Sequence, residues 1–222
     1  MLARSPTSVL RTSRSTSILA LLTLLVFTVF SPAARAQWQT TTYALTGGWN
    51  SLYLHGDSTH VTPDQLFANN PEIIEVWRWN PNPNSIQFSS SPLIPSNGTP
   101  EWSVWLRGNP AQTTLVTLTG QTAYLVRCTG TTSDSFSIAI PQKPRPPRST
   151  WVRNGANFLG FPTRLNANYP LFSTYFATFP AAIAADTRIY RYVGGPLGPS
   201  NPVQVFSPAA ERIDRNRAYW FE

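Results

Sequence analysis

The stretch Gly48-Trp49-Asn50-Ser51-Leu52-Tyr53-Leu54 returns, altered but legible, as Gly155-Ala156-Asn157-Phe158-Leu159-Gly160-Phe161. The glycine, the asparagine two residues on and the apolar residues that follow are kept. Working outward, Val76-Trp77-Arg78-Trp79 is echoed by Ile189-Tyr190-Arg191-Tyr192, and Ala123-Tyr124-Leu125-Val126 by Ala218-Tyr219-Trp220-Phe221. The three echoes keep one order, at offsets of 107, 113 and 95 residues, so the length differences fall between the matched segments. Order and number together point to one supersecondary unit written twice.

Each copy reads as strand. Ser135 to Ile140 alternates, with Phe136, Ile138 and Ile140 on one face, and the β-rich runs Thr113 to Leu118 and Ala123 to Val126 flank a Thr119-Gly120 turn. Helix is scarce. Asp64 to Asn69 follows Pro63, which suits the first helical position, and Thr62, which suits the N-cap. Its counterpart between Pro170 and Ala185 is interrupted by Pro180. The expected fold is mainly β: two tandem small β-sandwich or barrel-like repeats, each with one short helix, over residues 37–140 and 149–222. Between them residues 141–148, Pro-Gln-Lys-Pro-Arg-Pro-Pro-Arg, read as an extended, semi-rigid linker because proline fixes φ and removes backbone donors. The second copy ends soon after its A-Y-W-F segment, where the first continues into Ser135 to Ile140. It is therefore expected to be incomplete, with the missing strand supplied by further chain or by a partner.

The N-terminus carries Arg4, Arg11 and Arg14, an apolar run from Ile18 to Phe30, and Ala34-Arg35-Ala36. A basic region, a short apolar region and an A-x-A site make residues 1–36 a cleavable secretory signal, with Gln37 as the mature N-terminus. The apolar run is shorter than the about 20 residues a membrane-spanning helix needs, so no membrane association is expected after cleavage. Four of the seventeen basic residues leave with the signal while all ten acids stay, which lowers the formal charge from +7 to +3. That balance argues against nucleic acid as a partner, since the dense basic cluster that remains (Lys143, Arg145 and Arg148) is interleaved with prolines. The one cysteine, Cys128, cannot form an intramolecular disulfide and reads as a buried strand thiol, so packing must hold this exported chain together.

The G-W-N opening, the hydrophobic-W-x-aromatic strand and the A-Y-hydrophobic ending resemble the small β-rich repeat modules that recur in large secreted or surface proteins of bacteria. The resemblance implies an extracellular structural, adhesive or glycan-associated role and brings no catalytic residues and no cofactor with it. The second copy departs from the pattern, with Ala156 in place of the tryptophan and Asn216 where the first copy has Gln121.

Three functional readings follow. The leading one is a non-catalytic structural or interaction module of an extracellular or cell-surface protein, secreted or periplasmic, whose partner is another surface protein or a glycan. The second is a carbohydrate-binding module. If Ile74 and Val76 face the core, Trp77 and Trp79 share the opposite face of their strand, Tyr190 and Tyr192 do the same in the second copy, and Trp102 and Trp105 lie close enough to extend a stacking platform. The same rings serve equally well as core, because aromatics dominate packing in small domains. The third reading is a metal or triad site at His55, Asp57 and His60, though the segment matches no ligand spacing and the second copy has no histidine. Glu72 and Glu75, the other acids considered for hydrolysis, stand beside Ile73 and Ile74 with no opposing wall in view and read as solvated charges.

Overall fold

The computed structural model describes residues 38–81, 93–152, 155–163 and 168–222. The expected signal at residues 1–36 lies outside them. Strands dominate: β1 (Gln39–Thr46), β2 (Gly48–Leu54), β3 (Gly56–Asp57), β4 (Ile73–Trp79), β5 (Trp102–Leu106), β6 (Thr122–Cys128), β7 (Ser135–Pro144), β8 (Asn157–Gly160), β9 (Ile189–Arg191), β10 (Val203–Gln204) and β11 (Ala218–Phe221). Among the described residues two one-turn helices, α1 (Pro63–Leu66) and α2 (Phe172–Tyr175), accompany the strands, with two short 3-10 turns. Thr62 and Gln65 close a capping box at the start of α1, with Pro63 in the first turn, as their types predict.

The strands form three antiparallel sheets. The first has the order β2-β6-β4-β5, the second β10-β9-β11-β8, and a third ribbon runs β1-β7-β3. Read from its other side, the second sheet is β8-β11-β9-β10. The echoed segments therefore occupy corresponding places: β2 with β8, β6 with β11 and β4 with β9. One face of the first sheet packs on one face of the second. Tyr53, Trp77, Trp79, Trp102, Val104, Ala123 and Leu125 meet Ala156, Phe158, Tyr192, Ala218 and Trp220 in a shared core. The opposite face of the first sheet (Leu52, Leu54, Val76, Tyr124, Val126) packs on Tyr43, Leu45, Ile138 and Ile140 of the ribbon and on Phe67 beside α1. The opposite face of the second (Tyr219, Phe221, Ile189) is covered by Phe161, Phe172 and Phe176. Period-two alternation explains the division, since each strand sends one set of side chains to each face.

The echoed polar residues do equivalent work in both halves. Asn50 accepts from Thr46 N at 3.1 Å and donates to Thr46 O at 2.7 Å and Gly48 O at 3.2 Å. Asn157 accepts from Val152 N at 2.6 Å and donates to Val152 O at 3.0 Å and Gly155 O at 2.8 Å. The G-x-N motif is thus a clamp that folds the incoming chain back onto the start of a strand. The tyrosine of each A-Y motif acts similarly from the other direction. Tyr124 Oη accepts from Thr119 N and Tyr219 Oη from Asp214 N, both at 2.8 Å and both five residues back. A fourth correspondence emerges once the helices are aligned: Leu66-Phe67-Ala68-Asn69-Asn70-Pro71 against Tyr175-Phe176-Ala177-Thr178-Phe179-Pro180.

Several expectations change. Residues 37–222 make one compact unit, and the segment 141–148 does not run as a linker throughout. Pro141 to Pro144 complete β7, where Gln142 is buried with its side chain on Gly56 N (2.7 Å) and Tyr43 Oη (2.8 Å). Proline's extended φ is compatible with this strand end. Thr113 to Leu118 is not strand. Thr114 and Leu115 both donate to Val104 O, while the Thr113 and Thr114 hydroxyls accept from Leu106 N and Val104 N, so side chains and main chain together seal the outer edge of β5. Ser135 to Ile140 does not join the sheet that contains β6 either, because its partners are β1 and β3. β11, the counterpart of β6, is an interior strand with β8 and β9 on its two sides. Among the described residues no helix is long and apolar enough to cross a membrane.

Candidate functional site

The five aromatic residues singled out from the strand pattern are brought together, but between the sheets. Trp77, Trp79, Trp102 and Tyr192 are 6, 8, 4 and 0 % exposed, and Tyr190 is half-buried against the same cluster. The alternation places them on one face as expected; that face meets the second sheet where a ligand platform would need solvent. The Trp79 ring stands edge-on to Trp102 and to Trp220, each at 5.2 Å, and Phe158 stacks on Trp220 at 4.7 Å. These separations suit attractive aromatic pairs. Trp220 Nε1 donates to Tyr192 Oη at 3.0 Å and Tyr192 Oη donates to Leu93 O at 2.5 Å, which satisfies both polar tips inside the core. Burial pushes the Tyr192 hydroxyl pKa upward. Trp105 belongs to the opposite face, with its ring on Phe67 and its Nε1 on Asp64 at 3.1 Å.

Arg78 and Arg191, kept in both copies, point away from the rings. Arg191 pairs with Glu211 at 3.0 Å, while Arg78 bonds Asn80 and Ser103. Glu75 is engaged on both oxygens, by Arg127 at 2.6 Å and by Trp77 Nε1 at 2.8 Å.

The histidine segment does not converge. His55 is buried, with Nε2 against Asn216 Oδ1 at 3.1 Å and its ring edge-on to Tyr53. Burial, and then the charge of Arg215, push its pKa down to about 4, so the ring is neutral at pH 7. Asp57 pairs with Arg145 at 2.7 Å and accepts from Gly120 N at 2.8 Å. His60 lies edge-on to Trp38. Each is occupied by a different partner, and among the described residues no three of His, Cys, Asp and Glu gather as metal ligands would. Cys128 is buried against Asn50, and burial raises its thiol pKa to about 12.

A cleft of about 630 Å³ does open between the outer edge of β8 and the chain that follows β7. Tyr53 and Trp79 contribute to its lining, Gln121 and Thr122 stand at one side, and Arg145 to Thr150 form the opposite wall. Trp79 is one of the residues inferred from sequence; the β8 edge and the 145–150 wall were not visible there, since a sheet edge is defined by neighbours rather than by residue type.

No protein-family model, no curated protein and no solved structure matches the chain.

Proposed function

We propose that the chain is an exported, non-catalytic structural or interaction module, made by duplication of one four-stranded unit whose two copies pack face to face. One observation carries this reading: the residues best suited to hold a ligand are spent on holding the halves together. Removing Trp77 or Trp79 should accordingly cost stability, by about 3–5 kcal/mol for a buried large aromatic. The matching strand orders, the paired asparagine clamps and the paired tyrosine bonds support the duplication. The basic-apolar-A-x-A pattern of residues 1–36 supports export, and the motifs support kinship with the G-W-N β-repeat modules of bacterial surface proteins.

Expressing the full chain in a bacterial host and measuring the mature mass tests the export half; a product beginning at Gln37 outside the cytoplasm is expected. A glycan array with that product tests the other half. Destabilised Trp77→Ala and Trp79→Ala variants beside a blank array agree with the module reading. A glycan bound by the wild-type protein and lost in a stably folded Trp79→Ala variant would replace it with the carbohydrate-binding one.

A further inference from the structure

The two four-stranded sheets differ most at one pair of equivalent edges. The outer edge of β2 is occupied by the chain itself. Trp49 N donates to Gly195 O at 2.8 Å, Gly194 N donates to Trp49 O at 2.9 Å, Gly195 N donates to Gly47 O at 2.8 Å, and further along Tyr53 N donates to Asn216 O at 2.9 Å. A bent Val193-Gly194-Gly195 segment, with positive φ at both glycines, thus lies along that edge, bridged to it at Gly48 and Asn50. Glycine is required there, since Gly48 has a φ of +87° and a Cβ on it would stand 2.3 Å from Gly195.

The equivalent edge belongs to β8, and the hydrogen-bond phase of its sheet shows which groups it presents. Glu222 and Arg188 exchange both main-chain bonds at 3.0 Å, so Trp220 turns its main-chain groups toward β9 while Tyr219 and Phe221 turn theirs toward β8. Their partners Leu159 and Asn157 therefore bond inward, and Phe158 and Gly160 direct N–H and C=O away from β11. Among the described residues these outward groups have no hydrogen-bond partner, and they border the 630 Å³ cleft. Trp79, which is 8 % exposed and lines the cleft, also has a buried Nε1 without a partner among the described residues. Buried donors left unpaired are costly, and an open edge is a template for another strand. The Asn157 clamp on Gly155 shapes the start of β8 as the Asn50 clamp on Gly48 shapes that of β2.

We propose that the cleft beside β8 takes up a glycine-containing polypeptide segment, whose main chain bonds the edge of the second sheet as that of Val193–Gly195 bonds the edge of the first. The class of ligand follows from the occupant of the equivalent edge: main-chain bonds to Phe158 and Gly160 supply affinity, as in other strand additions. The volume lies within the usual range for ligand sites. This inference rests on the interaction-module reading and names the chemistry of its partner.

A synthetic peptide copying residues 191–200, blocked at both ends, is the probe, and amide exchange of the full chain followed by NMR is the readout. Millimolar peptide is expected to slow exchange at Phe158 and Gly160 at least fivefold. The same peptide N-methylated at the residues copying Gly194 and Gly195 should not do so. Ser149→Trp, at an exposed position in the opposite wall, should weaken the effect at least tenfold in peptide concentration without shifting the unfolding midpoint. Unchanged exchange with saturating peptide overturns the proposal. So does slow exchange at both amides in the free chain at every concentration, which means that the edge is covered from within, or protection that grows with protein concentration alone, which means that a second copy fills it. Chitohexaose protecting these amides where the peptide does not would overturn both this inference and the module reading; failure of the peptide alone would leave that reading standing.

Discussion

Replacing Gly160 by alanine should be among the most damaging small changes available to this protein. A Cβ at that position would stand 2.1 Å from Cγ and 2.3 Å from Cβ of Tyr53, so it meets the fixed root of a ring rather than a flexible tip. Tyr53 cannot swing aside without cost. It is 2 % exposed, lies in the core between the sheets, and donates from Oη to Gln121 Oε1 at 2.5 Å. Overpacking a filled core costs typically 1–3 kcal/mol, and a clash with a ring root belongs at the upper end, about 3 kcal/mol. Tyr53→Ala alone removes a buried aromatic and should cost about 3–5 kcal/mol. In that background the added methyl enters vacated space, so Gly160→Ala should then cost under about 0.5 kcal/mol, close to the usual error of additivity. The four proteins of the cycle, compared by urea unfolding at constant slope, should therefore show a coupling of about 2.5 kcal/mol. For a domain of this size that corresponds to roughly 5–10 °C in midpoint. Additive effects, with coupling below about 0.5 kcal/mol, would refute the claim that Tyr53 seats on Gly160.

The two asparagine clamps should be energetically alike. Asn50→Ala and Asn157→Ala each leave half-buried main-chain groups of the preceding turn unpaired and should cost about 1–2 kcal/mol by chemical denaturation; a clamp whose removal costs nothing is not holding its turn. His55 should make stability depend on pH. Its pKa falls from 6.5 in the unfolded chain to about 4 in the fold, so between those values the unfolded state binds the extra proton. Stability from this group is complete above pH 6.5 and declines toward pH 4, by up to about 3 kcal/mol, and His55→Gln should flatten that part of the profile. Cys128, buried and with its thiol pKa raised to about 12, should resist a thiol reagent at pH 8 in the folded protein and react at once in denaturant.

Much of the architecture was readable from residue order because the matched segments are three adjacent strands of each four-stranded sheet. β6 and β11, each flanked on both sides, carry the A-Y motifs, and β4 and β9 carry the alternating aromatics. Period-two spacing says that Trp77 and Trp79 share a face. It cannot say what that face meets, because a lone sheet with a solvent platform and a sheet packed on its twin have the same local pattern. The prolines of 141–144 suggested a linker for the same local reason: proline is permitted at a strand end, and only the pairing with β1 and β3 reveals the strand. The second helix was harder to place because its echo, Tyr175-Phe176-Ala177 against Leu66-Phe67-Ala68, is short and lacks the Thr62-Pro63 start of the first. The histidine segment looked like chemistry because its residue types adjoin in sequence, whereas the chain leaves the strand after Asp57 and turns at Thr59 and His60, and the three side chains go separately to Asn216, Arg145 and Trp38.

The seat of Tyr53 on Gly160 bears on what a single half could do by itself. The two residues hold equivalent places in the echoed motifs and touch each other, so they stand where a twofold axis relating identical halves would pass. A homodimer of the first half would bring two tyrosines to that point and jam; one of the second half would bring two glycines and leave a hole. Joining the halves in one chain is what allows a bulge on one to meet a hollow on the other, and it commits each half to its own neighbour in preference to a copy of itself.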